Sequence, residues 1–233
     1  MTGTLYGLGV GPGDPELLTL KAWRILSMAP VIAYPQTGSG ESFSRRIVAP
    51  FVPEDATEFP FQVPMKEERE PAREAYDVAA RLIAGHLDAG RDVALLCEGD
   101  PFFYGSFMYL FERLAETHKI EVVPGVSSLT ASAAALGRPL AARNDVLKVV
   151  PAPLDEARLE AEIEGAQSLA IIKVGRHFDK VRRVLRRLDL SGRAAIIESA
   201  TCDDQKITAL EDIPEGERPY FSTILVYKGG EQW

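Results

Sequence analysis

Short apolar runs alternate along this chain with longer stretches in which apolar residues recur every three or four positions. The runs predict strands over 4–10, 31–34, 92–96, 120–123, 146–150, 168–174, 194–198, 206–208 and 220–227. The periodic stretches predict helices over 20–28 with Thr19 as cap, 72–89, 106–116, 128–136 with Ser127 as cap, 155–164 and 178–188. Asp14 followed by Pro15 marks a further helix start. In the 72–89 helix Ala75, Ala79, Leu82, Ile83 and Leu87 share one face, and Gly90 supplies the C-cap. Residues 41–71 carry five prolines and little periodicity, so no element is predicted there.

Strands that alternate with helices predict an α/β protein with parallel or mixed sheets. About ten strand candidates are many for one sheet and suit two sheets of about five. The expected architecture is two α/β domains with mixed sheets. The first domain is expected over 1–119, holding a Gly-rich loop and a Gly-Asp-Pro-Phe-Phe-Tyr-Gly loop, and the second over 120–233.

Composition narrows the function classes. With 233 residues, 46% hydrophobic and 26% charged, the chain reads as an ordinary globular protein. Its net charge of −8 disfavours a nucleic-acid partner. Basic residues between Lys180 and Arg187 alternate with apolar ones, which predicts a helix with a solvated basic face. No apolar run is long enough to span a bilayer, and the first residues lack the order of a secretory signal. Cys97 and Cys202 are isolated, so reduced thiols and a cytoplasmic location are expected. The three histidines are scattered, and no metal site is expected.

The candidate chemistry lies in two loops. Gly7-Leu-Gly9-Val-Gly11-Pro-Gly13 follows the first strand, but it lacks the Gly-x-Gly-x-x-Gly offsets of a dinucleotide site. The second strand also lacks the usual acidic end, since Tyr34-Pro35 stands there. There is no Walker A loop and no Gly-x-Ser-x-Gly elbow. The second loop, Cys97-Glu-Gly-Asp-Pro-Phe-Phe-Tyr-Gly105, follows the most apolar strand. Gly99 permits close approach of a ligand to the backbone, and Pro101 fixes the turn. Phe102 and Phe103 offer faces for a flat ring, or serve simply as core aromatics. Glycine loops, rings and small polar residues suit a reaction in which a cofactor carries the reactivity and the protein aligns it.

Four stretches, taken in order, resemble one family: GVGPGDPELLTLKAWRIL, CEGDPFFYGSF, VVPGVSS and ESATCDDQKI. Together they are similar to the tetrapyrrole methylases, which use S-adenosylmethionine and release S-adenosylhomocysteine. Within that family, the extended central loop, KVGRHFDKV and YFSTILV resemble the branch that methylates the C-20 meso carbon of precorrin-2 in cobalamin biosynthesis. The resemblance implies an active site in the cleft between two α/β domains, a homodimer, and a cofactor held mostly by backbone groups. It assigns cofactor contacts to Pro12, Glu98, Gly99, Asp100, Phe103, Ser127 and Ser128. Val174 stands where relatives usually carry methionine, and Ala200 and Thr223 are weaker matches.

One departure is informative. Family members that act on uroporphyrinogen carry an acidic residue after the tyrosine of the second strand, and here that position is Pro35. No base is therefore inherited, and Tyr34 and Glu98 are the candidates. A substrate rich in carboxylates calls for local cations on an acidic protein. Arg45, Arg46, Lys66, Arg143 and Arg176 lie in expected loops or helix ends and are the substrate-binding candidates. Other readings stay open at this point: the cobalt-containing equivalent of precorrin-2, another substrate within the family, and a binding module without turnover.

Overall fold

The computed structural model describes residues 2–36, 38, 40–64 and 70–229. The chain divides into two compact units, 1–127 and 128–233. The expected boundary after residue 119 is displaced for a plain reason. Residues Lys119–Val123 pair with the first strand of the chain and so complete the first sheet.

The first unit contains strands β1 (Thr4–Gly9), β2 (Val31–Gln36), β3 (Thr57–Gln62), β4 (Val93–Cys97) and β5 (Lys119–Val123). Their spatial order is β3-β2-β4-β1-β5, and every pairing is parallel. Parallel strands need covered faces, and the alternation of side chains supplies two. Leu8, Ile32, Ala94 and Leu96 bury one face under helices α1 (Leu20–Leu26) and α2 (Phe43–Ile47). Leu5, Val31, Ala33, Val93 and Leu95 bury the other under α3 (Glu70–Asp88) and α4 (Phe107–Leu114). Thr19 caps α1 as expected, its hydroxyl accepting from the Ala22 N–H at 3.1 Å. Asp14 and Pro15 open a short 3-10 turn, Pro15–Leu17.

The second unit contains α5 (Ser128–Leu136), β6 (Leu147–Pro151), α6 (Glu156–Glu164), β7 (Ser168–Ile172), α7 (Phe178–Arg187), β8 (Ala194–Glu198), β9 (Lys206–Ala209) and β10 (Ser222–Tyr227). Its sheet is mixed, in the order β6-β7-β10-β8-β9. The β6–β7 pair is parallel, while β10 runs antiparallel to both β7 and β8. Phe178, Val181, Val184 and Leu185 of α7 and Leu159 and Ile163 of α6 bury one face. Leu129 and Ala133 of α5 cover the other. Each of the buried Val, Leu, Ile and Phe side chains among these contributes about 1.5–3 kcal/mol.

The basic face of α7 is not simply solvated. Arg187 forks onto Glu160 of α6 at 2.9 and 2.7 Å and reaches Glu156 at 3.0 Å, and Arg183 reaches Glu156 at 3.3 Å. These cations are spoken for by the neighbouring helix. Among the described residues no helix is long and apolar enough to cross a membrane.

Candidate active site

Three loops meet at the carboxyl edge of the first sheet. After β1, Val10 N–H donates to the Cys97 carbonyl at 2.9 Å. Gly11 and Gly99 then form an isolated antiparallel bridge, with the Gly99 N–H donating to the Gly11 carbonyl at 2.8 Å. Gly99 adopts φ 63°, a left-handed conformation that glycine takes without strain. The loop after β5 packs into the same place. A β-carbon on Gly9 would lie 2.5 Å from the Gly125 nitrogen and 2.7 Å from the Gly99 carbonyl oxygen. Neither neighbour is a flexible side chain, so backbone fills this space and only glycine fits.

Asp100 ties the loops together. One carboxylate oxygen accepts from the Phe102 N–H at 2.9 Å and the other from the Gly125 N–H at 3.1 Å. The turn therefore keeps its shape across 25 residues of chain. Pro12, within the first loop, is buried. The aromatics divide their tasks. Phe102 packs against Phe107 and Phe111 of α4, with ring centroids 5.6 and 5.2 Å away. Phe103 meets Tyr104 edge-on at 5.2 Å, and both rings are well exposed. Tyr104 is held at φ 55°, a strained conformation of the kind that gathers at ligand-binding turns.

Glu98 begins this loop and is partly buried. Burial raises its carboxyl above the usual carboxylate range, partly offset by N–H donation from its own backbone and from Ser44. Ser44 lies in the first turn of α2, so this short helix is fastened directly to the loop. Cys97 below it is buried, which pushes its thiol well up and leaves it unreactive.

Tyr34 and Arg45 prove to be partners. The Arg45 guanidinium forks onto Glu58 of β3, Nε to Oε2 at 2.5 Å and Nη2 to Oε1 at 2.9 Å, and the Tyr34 hydroxyl donates to Oε2 at 2.9 Å. Burial, followed by the Glu58 hydrogen bond and charge, raises the Tyr34 phenol above its ordinary value. A phenol that donates to a carboxylate and resists ionisation is poorly suited to act as a base, which weighs against that role for Tyr34. Arg46 is exposed, its guanidinium 5.0 Å above the Phe43 ring. Lys66 lies outside the described residues. Glu58 itself escapes a sequence reading, because β3 does. Pro60 interrupts the strand pattern, and β3 tolerates it by lying at the sheet edge with β2 as its one partner.

The second unit gathers its own cluster at one end of its sheet. β7 and β8 end there, and β10 begins between them, Thr223 opposite Ile197 and Ser222 opposite Glu198. Lys173, Ser199 and Thr201 follow these strand ends with φ of 57°, 49° and 68°, a concentration of left-handed non-glycine residues. The Ser199 N–H donates to the Phe221 carbonyl at 2.8 Å. Thr223 and Ala200 are mostly buried within this cluster. Val174 is fully buried in the core under α7, which leaves its backbone rather than its side chain to meet a ligand. Ser127 is half-buried and Ser128 is exposed at the start of α5. Arg176 lies exposed in the 3-10 turn Gly175–His177, beside this cluster. Arg143 lies elsewhere, exposed at φ 44° in the segment before β6.

These groups fit S-adenosylmethionine by type. The loops offer backbone amides and carbonyls, hydroxyls and two exposed rings, which match the hydrogen-bonding edges of an adenosine and an amino-acid tail. Among the described residues no set of three or more His, Cys, Asp or Glu side chains is arranged to hold a metal ion.

Known proteins resemble this chain in sequence and fold. The chain is 38% identical over 232 residues to a precorrin-2 C(20)-methyltransferase of Sinorhizobium sp., covering 96% of this chain and 95% of that protein. It is 29% identical to the cobalt-precorrin-2 C(20)-methyltransferase of Salmonella typhimurium, covering 100% and 98%. The uroporphyrin-III C-methyl transferase of Thermus thermophilus, solved as a complex with S-adenosylhomocysteine, superposes with a TM-score of 0.71 at 28% identity, covering 96% of this chain and 97% of that one. The family model of the tetrapyrrole (corrin/porphyrin) methylases matches residues 4–214, which span the whole first sheet and every strand of the second but β10. The chain therefore belongs to the tetrapyrrole methylases.

Proposed function

We propose that the protein transfers a methyl group from S-adenosylmethionine to the C-20 meso carbon of precorrin-2, giving precorrin-3A. The observation that carries this reading is the similarity to a precorrin-2 C(20)-methyltransferase over nearly the whole of both chains. Bound S-adenosylmethionine supplies an electrophilic methyl on sulfur, so the protein needs no nucleophile of its own. Its residues bind and align. Pro12, Glu98, Gly99, Asp100, Phe103 and Ser127 of the first unit, and Ser128, Val174, Ala200 and Thr223 of the second, are assigned to the cofactor. Holding reactants in line contributes up to about 7–11 kcal/mol in ideal cases.

A meso carbon that gains a methyl group must lose a proton. Glu98 is the group assigned to take it. Its raised carboxyl brings it closer to neutrality than an exposed glutamate, which suits general-base work. Replacing it by glutamine is expected to lower kcat by about 10²–10⁴. The carboxylates of the substrate are assigned to Arg45, Arg46 and Arg176, with Arg143 and Lys66 as further candidates. The Salmonella relative supports a second reading, the same transfer on the cobalt-containing substrate. The resemblance also supports a cytoplasmic homodimer, and light scattering of the pure protein tests the dimer.

The deciding experiment incubates pure protein with labelled S-adenosylmethionine and freshly generated precorrin-2, followed by mass spectrometry and carbon NMR of the pigment. One added methyl at C-20 is expected. Cofactor binding without any gain of mass overturns the substrate, and the cobalt complex is then the next substrate to try.

A further inference from the structure

We propose that Arg45 reads one carboxylate of the substrate with the edge of its guanidinium that faces away from Glu58, and that Glu58 and Tyr34 are positioning residues that hold this edge in place. This rests on the tetrapyrrole-acid reading above.

Guanidinium has five N–H donors arranged as two forks, one along Nε and Nη2 and one along Nη1 and Nη2. Glu58 takes the first fork, at 2.5 and 2.9 Å. Among the described residues Nη1 makes no hydrogen bond, so the second fork is open. Its geometry also matches a carboxylate, and Arg recognises such groups through paired, charge-assisted hydrogen bonds. Part of the Arg45 side chain remains exposed, at 24% of its surface.

Three attachments fix the group. The Tyr34 hydroxyl donates to Glu58 Oε2 at 2.9 Å, so that oxygen receives two donors and the carboxylate cannot rotate freely. β2 and β3 set the distance, since Tyr34 and Glu58 stand on adjacent parallel strands, Tyr34 opposite Pro60 and Glu58 opposite Ile32. The backbone of α2 is anchored one residue away, where the Ser44 N–H donates to Glu98 of the cofactor loop. The open fork is therefore tied on one side to the sheet and on the other to the loop where the chemistry is assigned. A long, flexible cation becomes a fixed receptor, and Arg46 on the same short helix adds a second exposed positive charge.

The test compares wild type with E58Q, E58D, Y34F, R45A and the double variant R45A/E58Q, measuring kcat and the KM of precorrin-2 and of S-adenosylmethionine. E58Q is expected to raise the precorrin-2 KM about tenfold, with the S-adenosylmethionine KM unchanged. Y34F has a smaller effect in the same direction, and E58D restores part of the loss. R45A/E58Q is expected to match R45A alone, because a positioning residue has nothing to position once Arg45 is gone. Binding of S-adenosylmethionine by calorimetry confirms that each variant is folded. An unchanged precorrin-2 KM in E58Q overturns the inference while leaving the proposed function standing. So does a lowered KM, which would make Glu58 a competitor of the substrate, and so does a rise shared equally with the cofactor. If wild type binds no tetrapyrrole, both the inference and the proposed function fall.

Discussion

Asp100 engages two loops with one carboxylate, so its loss is felt twice. Asp100→Ala leaves the Phe102 and Gly125 N–H groups without their acceptor. We expect a loss of about 1–3 kcal/mol in urea unfolding, together with weaker S-adenosylmethionine binding by calorimetry. Glu98 behaves in the opposite sense. Because burial raises its folded carboxyl above the unfolded value, ionising it opposes folding at neutral pH, and this penalty vanishes below about pH 4, where both states hold the proton. Glu98→Gln is therefore expected to raise Tm at pH 7, with the gain shrinking towards zero as pH falls through about 4, while kcat drops. Glu58 runs the other way again. Arg45 and Tyr34 hold it below the ordinary range, so its contribution to stability is present above the unfolded value and is lost as pH falls through the depressed one. A melting profile that shows no difference between Glu98→Gln and wild type at any pH would remove the buried-charge account.

At the scale of elements, Gly85 gives a clean stability test. It lies exposed inside α3, and a β-carbon added there would have nothing within 4 Å, so Gly85→Ala should stabilise by about 0.5–1 kcal/mol in urea unfolding. Gly125→Ala should do the reverse, since its β-carbon would meet the backbone of Gly9 at 2.8 Å. Both are glycines in the sequence, and only packing separates them. The same division explains how much of the fold is legible in the chain. Strands β4, β7 and β8 are built on runs of four or more apolar residues and are plain in the pattern, as are the helix starts at Thr19 and Asp155, whose side chains accept from Ala22 and Arg158. β3 is hidden by Pro60, and α2, at five residues, is too short to show a period. With β3 hidden, the Tyr34–Glu58–Arg45 group cannot be assembled from sequence, although Tyr34 and Arg45 stand out there for other roles. Motifs mark where the loops lie. Which polar groups satisfy one another depends on strand register, and one sequence does not display register between distant segments.

At the scale of the molecule, each unit has its own buried cluster, so damage should stay local at first. Phe178 is fully buried in the second unit. Phe178→Ala is expected to cost about 3–5 kcal/mol. Hydrogen exchange followed by mass spectrometry should show protection lost across 128–229 before 4–123; equal loss in both would mean that the two units unfold together. The order of strands in the second sheet has a consequence for synthesis. β10 lies between β7 and β8, yet it follows both in the chain. The first unit has all its strands once β5 has been made, whereas the second holds two unjoined halves, β6–β7 and β8–β9, until β10 follows, roughly 30 residues after β8 ends at Glu198, about 1.5–6 s at ordinary elongation rates. During that interval β7 and β8 each expose an unpaired apolar edge on the ribosome, the state in which a nascent chain most needs a chaperone, and a message truncated before residue 222 would make it permanent.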